Sequence, residues 1–361
     1  MKKEIAHFDV QYLQILDEKG NCDQKLMPKL SNAEVKKLYV LMCLTREFDD
    51  KAVKLQRQGR IGTYASVKGQ EACQIGSAIL FGKEDLLFPA FREHGVYLTR
   101  GMPVEKLLQY WGGQEEGMKI PKEVNVFTVS IPVGSHPLHA AGVGMAFKYQ
   151  KKKAVSAAYF GDGATSEGDC LEAMNFAGDF KIPVIFFCQN NQYAISVPVK
   201  EQTGAATLAQ KAIAFGFEGI EIDGNDVFAV YKATQDALQK ARSGKGPTFI
   251  ECYTYRMSDH TTSDDAAKYR SEKEVKKWEE RDPIKRLEIY MQKKKVCEKN
   301  YFEKVKKDCE KKIDAAVKKY EEMKETPAEE IFNYMYSKLT PDLEEQKEQM
   351  LASIKNAKGA E

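Results

Sequence analysis

Two short segments of this chain carry the residue types that can hold a metal-bound anion. Gly161-Asp162-Gly163 is followed, after the 26 residues 164–189, by Asn190-Asn191. Glycines at 161 and 163 let the backbone turn sharply and approach an anion closely. A helix beginning near Ala164 would offer unpaired amides and a positive dipole end to a phosphate. Asp162 does not fit that picture alone, because a carboxylate repels a bare pyrophosphate. A cation must lie between them. Magnesium takes near-octahedral oxygen ligation and is commonly held by one or two protein groups plus phosphates. Asp162, the Asn191 carboxamide and the backbone carbonyl of Tyr193 would supply the protein's share. Two other readings stay open on the residues alone. Residues 161–166 approximate the G-x-G-x-x-G dinucleotide fingerprint, a weak match that leaves Asp162 and the Asn pair unexplained. The plainest alternative is a glycine-rich turn with a capping Asp and an Asn pair in an ordinary turn.

The elements that must position these groups are legible around them. Residues 154–160 and 183–188 are continuous apolar runs, the pattern of strands buried on both faces of a parallel sheet. Groups at the carboxyl ends of such strands converge on the crevice where ligands bind. Residues 220–223 and 248–255 predict two more strands, with a helix capped by Asp226 and running to Ser243 between them. Residues 86–88 predict a short strand. Ser31-Asn32-Ala33-Glu34 has the capping-box form and predicts a helix to Gly59. A second helix is expected from Gly69 to about Gly82, and a helix of small residues from about 139. The fold class expected is α/β: a doubly wound, mostly parallel sheet flanked by helices, with helical extensions at both ends. Residues 1–30 read as an irregular arm, and 31–361 as one domain with a helical extension from about 271. In that extension Phe302, Val305, Cys309, Ile313, Val317 and Tyr320 recur at helical spacing.

Composition narrows the functional classes. The 361 residues carry 55 Lys and Arg against 53 Asp and Glu, a net +2, so neither nucleic acid nor a membrane surface is expected as a general partner. The eight cysteines show no CxxC spacing and read as free thiols in a reducing compartment. The first residues lack the apolar core of a signal peptide, and no run is long enough to span a membrane. A soluble, cytoplasmic chain is expected.

Taken with Gly168-Asp169, Asn175-Phe176-Ala177, Tyr193-Ala194-Ile195-Ser196 and Asp223-Gly224-Asn225-Asp226, the opening motif resembles the thiamine-diphosphate signature of the α subunits of 2-oxo acid dehydrogenases, over roughly residues 25–340. The resemblance implies thiamine diphosphate and magnesium as cofactors, with Asp162, Asn191 and the Tyr193 carbonyl as metal ligands. It implies that Gly161, Gly163 and Ala164 contact the diphosphate, that Arg92 grips it, and that Phe91 stands where a Tyr is usual. Ile131 and Val133 match positions whose backbone holds the aminopyrimidine ring. His260, in the polar loop 257–270, matches a histidine that lies over the cofactor and aids acyl transfer, a role suited to imidazole. His94 is a candidate for the substrate channel. Ser130, Ser135 and His136 match a potassium-binding loop of some relatives, although histidine is a poor potassium ligand. Gln189 replaces an arginine of branched-chain relatives.

The reaction implied is decarboxylation of a 2-oxo acid followed by reductive acylation of a lipoyl domain of the dihydrolipoyl acyltransferase core. Only one α/β module is visible, between about 125 and 260, so the glutamate that activates the aminopyrimidine must come from a β subunit in an α2β2 heterotetramer. Pyruvate is taken as the substrate, with branched-chain 2-oxo acids and acetoin as alternatives. A different thiamine enzyme and a catalytically dead scaffold are the rival classes. Thr261, Thr262 and Ser263 lie in a loop phosphorylated in eukaryotic relatives, and no such control is expected here.

Overall fold

The two continuous apolar runs become neighbouring strands at the centre of the molecule, buried along their whole length. The computed structural model describes residues 1–324 and 326–358. Its main sheet contains β1 (Gln11–Leu13), β2 (Leu86–Phe88), β3 (Ser156–Gly161), β4 (Val184–Asn190), β7 (Glu218–Asp223) and β8 (Thr248–Tyr253). The order is β1-β7-β8-β4-β3-β2, and every pairing is parallel. A two-stranded antiparallel hairpin, β5 (Tyr193–Ala194) with β6 (Val197–Pro198), follows the end of β4.

The helices are, in the N-terminal half, α1 (Asn32–Arg57), α2 (Glu71–Ala78), α3 (His94–Arg100), α4 (Val104–Trp111), α5 (His136–Tyr149) and α6 (Gly168–Asp179). They continue as α7 (Val199–Gln202), α8 (Val227–Arg242), α9 (Glu272–Glu279), α10 (Pro283–Lys293), α11 (Asn300–Glu321) and α12 (Pro341–Lys358). Side chains alternate across a strand, so each strand serves two cores. Ile185 and Phe187 of β4 pack with α1, α2 and α8, whereas Val184, Phe186 and Cys188 pack with α5 and α6. That double burial explains why these strands read as unbroken apolar runs rather than alternating ones.

The Ser31–Glu34 capping box forms as expected, each side chain satisfying the other's backbone. In α11 Val305, Cys309, Ile313 and Val317 are buried, while Phe302 and Tyr320 lie half-buried at the margin of the same core. Four boundaries differ from the sequence reading. Helix α2 is shorter, starting at Glu71 and stopping at Ala78, and α5 starts at His136 rather than near 139. The expected helix at Ala164 is a 3-10 turn, Asp162–Ser166, with α6 proper beginning only at Gly168. The arm is not irregular throughout: Gln11–Leu13 joins the sheet edge in parallel register with Ile220–Ile222.

The cause of this docking lies 210 residues away. Asp226 caps α8 with one carboxylate oxygen, accepting from the amides of Phe228 and Ala229, while the other accepts from Ile15 and Leu16 at 2.6 Å. Buried Arg286 donates to the Leu16 carbonyl (3.0 Å) and to Asp223 (2.7 Å). An arm with so little apolar pattern of its own is fixed by buried polar bonds supplied from elsewhere, which sequence periodicity does not report.

Candidate active site

The carboxyl ends of β3, β4 and β8 open into a cavity of about 590 Å³. Asp162 and Gly163 come from the turn after β3, Asn191 and Tyr193 from the turn after β4, and Arg256 and His260 from the loop after β8. Residues 90–93, after β2, bring Phe91 and Arg92 to the same wall.

Asp162 is buried, and burial pushes its carboxyl up to about 6, opposed by the Gln202 side chain and by the backbone amides of Asp162 itself and of Asn191. Gln202 Nε2 donates to Oδ2 at 3.1 Å. A desolvated carboxylate of this kind is stabilised by a cation, which replaces the hydration it has lost. Asn191 Oδ1 accepts from the Tyr193 amide at 3.3 Å, and its Nδ2 donates to Gln70 Oε1 at 3.2 Å. The turn that presents the Tyr193 carbonyl contains Gln192 and Ile195, both at positive φ (76° and 55°), a conformation that side-chain-bearing residues adopt rarely. Gly163 is favoured by close approach, since a Cβ there would meet Ala194 Cβ at a tight 3.0 Å. Gly161 has an ordinary φ of −83°, and a Cβ would meet nothing within 4 Å. Its lack of a side chain instead leaves cavity space open.

The same cavity holds two buried cations. Arg92 donates to the Ser66 carbonyl (2.5 Å) and the His260 carbonyl (3.0 Å). Arg256 donates to the carbonyls of Tyr193 (3.0 Å) and Ile195 (2.6 Å) and to the Tyr269 hydroxyl (2.8 Å), and its Nε has no partner. Neither guanidinium forms an ion pair among the described residues. Burial and the neighbouring Arg256 bring Arg92 down to about 10. His260 Nδ1 faces both guanidiniums, at 3.1 Å from Arg92 and 3.4 Å from Arg256. Burial, then these two charges, push its imidazole down to about 3, so it is neutral and Nδ1 accepts. An anion bound here would reverse that field and raise its proton affinity.

The loop carrying His260 is held by the protein's own contacts. Thr262 exchanges hydrogen bonds with the Tyr64 backbone, and Asp264 accepts from the His260 amide at 2.8 Å. Phe91 lies against His260, with ring centroids 6.0 Å apart and planes near perpendicular, and offers no hydroxyl to the cavity. Ile131 and Val133 lie on the cavity rim, about half exposed (52% and 51%). Ala164 is buried in the 3-10 turn, whose geometry leaves its first amides without partners inside it.

Two histidines sit differently from the expectation. His94 does not line the cavity: it stacks on Tyr64 (5.1 Å), packs against Phe48 and Trp111, and its Nε2 donates to the Ala65 carbonyl at 3.0 Å. Burial pushes it down to about 4, which makes it a neutral packing residue behind the wall. His136 does reach the cavity, but its Nε2 is bonded to the Tyr159 carbonyl at 2.6 Å, and the Ser130 and Ser135 hydroxyls pair with each other at 3.0 Å.

Sequence reasoning passed over Arg256, Gln70 and Gln202. Arg256 had a signal, a cation at the end of an apolar strand beside the His260 loop. Gln70 and Gln202 had none, because a lone Gln at a helix end is ordinary. Gln189 also gains a partner, donating to buried Glu93 at 2.6 Å, where burial holds the carboxyl up near 7.

The donor set suits a hard cation with an anionic ligand: one carboxylate, one carboxamide oxygen and one carbonyl, in one cavity with guanidiniums that lack carboxylate partners. Among the described residues no cluster of three or more His, Cys, Asp or Glu is placed to hold a metal.

Comparison with known proteins places the chain in a family. A family profile described as "Dehydrogenase E1 component" matches residues 39–329. The 3-methyl-2-oxobutanoate dehydrogenase subunit alpha of Mycobacterium tuberculosis is 39% identical over 352 residues, covering 97% of this chain and 96% of the relative. The pyruvate dehydrogenase E1 component subunit alpha of Bacillus cereus is 39% identical over 350 residues (96% and 94%), and that of Acholeplasma laidlawii 40% over 336 (92% and 97%).

Proposed function

The chain belongs to the family of dehydrogenase E1 components, and on that premise we propose that it is the α subunit of a thiamine-diphosphate-dependent 2-oxo acid dehydrogenase acting on pyruvate. The observation that carries the reading is the convergence of Asp162, Asn191, Tyr193, Arg92, Arg256 and His260 on one cavity. Asp162, Asn191 and Tyr193 would hold magnesium, and Gly163, Ala164 and Arg92 the diphosphate. When bound, thiamine diphosphate supplies the carbanion that decarboxylates the 2-oxo acid and carries the acyl group; the protein supplies orientation and electrostatics.

The chain's own contributions follow from its geometry. Burial of Asp162 makes cation binding favourable there, and the cation in turn allows a polyanion to approach. Arg92 and Arg256 meet the developing charge without having to break an ion pair. His260 stays neutral until an anion arrives, and can then hold a proton at the cavity mouth.

We assign a β subunit as the partner that completes the site and a lipoyl domain as the acyl acceptor. The cavity supports this, since Ile131, Val133 and Ile195 line it and are 51–59% exposed, an apolar rim of the kind a partner covers. No described helix is long and apolar enough to cross a membrane. Branched-chain 2-oxo acids are the second reading, favoured by the 39% identity to the 3-methyl-2-oxobutanoate enzyme over 97% of this chain. The deciding experiment is a panel of 2-oxo acids assayed on the chain reconstituted with its β subunit. Pyruvate should give the highest kcat/KM, and the α chain alone should give no turnover. Full turnover by the α chain alone would end the shared-site reading.

A further inference from the structure

The turn that opens α2 lies outside every motif used above, yet it places a side chain directly against a metal ligand. Gly69 is at φ +98°, and a Cβ there would meet the Tyr255 carbonyl oxygen at 2.4 Å, so only glycine fits. Its amide donates to Glu71 Oε2 at 3.0 Å and its carbonyl accepts from Thr254 Oγ1 at 3.1 Å. Glu71 is fully buried and is itself fixed by Arg46 (2.5 Å), which also reaches Asp282 at 3.0 Å. A turn held on both sides by buried polar contacts has one conformation. Between its two anchored residues stands Gln70.

Gln70 occupies the N-cap position of α2, where a side chain ordinarily accepts from the helix's first amides, but it makes no such bond. It is buried on the cavity wall instead. The amide orientations are fixed in sequence. The Tyr193 N–H requires an acceptor and so selects Asn191 Oδ1, which turns Asn191 Nδ2 toward Gln70, and Gln70 must answer with Oε1. Gln70 Nε2 is then left buried with no partner. An unsatisfied buried donor costs free energy and is kept where a ligand satisfies it.

We propose that Gln70 is a positioning residue of this site: its Oε1 holds the Asn191 carboxamide with the oxygen toward the metal, and its Nε2 donates to the diphosphate of the cofactor. The proposal rests on the reading given under Proposed function. Without the Oε1 contact the Asn191 amide is free to turn, presenting an N–H₂ group that repels a cation. Without Nε2 the diphosphate loses one donor.

The two contacts separate by substitution. Gln70→Glu keeps an acceptor for Asn191 and removes the donor, whereas Gln70→Leu removes both. The test uses the full chain co-purified with its β subunit. Mn²⁺ affinity is read by electron paramagnetic resonance at saturating thiamine diphosphate. Thiamine diphosphate affinity is read at saturating Mn²⁺ from quenching of Trp111, which lines the cavity. Gln70→Leu should weaken both affinities by about tenfold, the effect typical of removing a group that orients a metal ligand. Gln70→Glu should hold Mn²⁺ within about twofold of wild type and lose about tenfold or more for the diphosphate, which now meets a carboxylate. Melting of each cofactor-free variant reports folding, and Gln70→Glu alone suffices should Gln70→Leu not fold. Wild-type affinities in Gln70→Glu for both ligands, or a loss of Mn²⁺ affinity in Gln70→Glu as large as its loss of diphosphate affinity, would overturn this proposal alone. An Asp162→Ala chain that binds both ligands like wild type would overturn the functional reading and this proposal with it.

Discussion

Two Asp-Gly turns end parallel strands of the same sheet, and they have opposite fates. Asp223, at the end of β7, accepts from Gln14 (2.8 Å), Arg281 (3.0 Å) and Arg286 (2.7 Å), and from the Asn225 amide (3.0 Å). Asp162, just past the end of β3, accepts one side-chain bond, from Gln202. Both carboxylates are buried. One is saturated by the protein's own cations and the other is left with acceptor capacity facing a cavity. The difference teaches that a buried carboxylate becomes a site when the protein withholds its counter-charge. Arg92 and Arg256 make the same point with the sign reversed, being buried guanidiniums without carboxylate partners.

The contrast can be broken from either side. Asp223→Ala should leave buried Arg286 with Glu18, at 3.3 Å, as its carboxylate partner and loosen the arm, costing about 3–5 kcal/mol of stability. Urea unfolding measures this, and unchanged stability would mean that the clasp is idle. Cofactor affinity of the chain that still folds should change far less.

A pH scan tests the packing role assigned to His94. Its folded value, about 4, lies below the ordinary 6.5, so the unfolded chain binds the extra proton between these limits. Stability is therefore full above pH 6.5 and is lost as pH falls toward 4, by about 3 kcal/mol for a shift of this size. His136, also held near 4, acts in the same direction. His94→Gln should show a visibly shallower loss of unfolding free energy over that range. An identical slope would mean that His94 is accessible to protons, as a channel residue would be.

Asp162→Ala gives the smaller effect in free energy and the sharper one in function. Affinity for thiamine diphosphate with magnesium should fall on the order of 100-fold, about 2.7 kcal/mol. The melting temperature of the cofactor-free chain should not drop, because removing an uncompensated buried carboxylate relieves desolvation. Titration calorimetry and thermal melting together separate this outcome from the Asp223 case.

That Gly163, Asp162, Asn191 and Arg92 would share one cavity was legible in the sequence. They are local in their chemistry: each follows a strand that announces itself by an apolar run, and parallel strands deliver their ends to one crevice. The helix expected at Ala164 failed because a 3-10 turn and an α-helix share the same start signals over five residues. His94 failed for a different reason. An imidazole in Phe-Arg-Glu-His-Gly carries no mark of which side it faces, and three aromatic rings from α1, the 63–65 loop and α4 decided it.

The sequence by itself determined the strand ends, the capping residues and the kind of chemistry at the cavity, because these depend on neighbours a few residues apart. The tertiary structure alone decided which carboxylate would be neutralised, which way the Asn191 amide would be held, and that the arm would join the sheet. Those outcomes depend on contacts such as Asp226 with Ile15, Arg286 with Asp223 and Gln70 with Asn191, separated by 211, 63 and 121 residues. Periodicity and propensity are local quantities. Charge compensation and hydrogen-bond satisfaction are not, and they are what divide a structural carboxylate from a functional one.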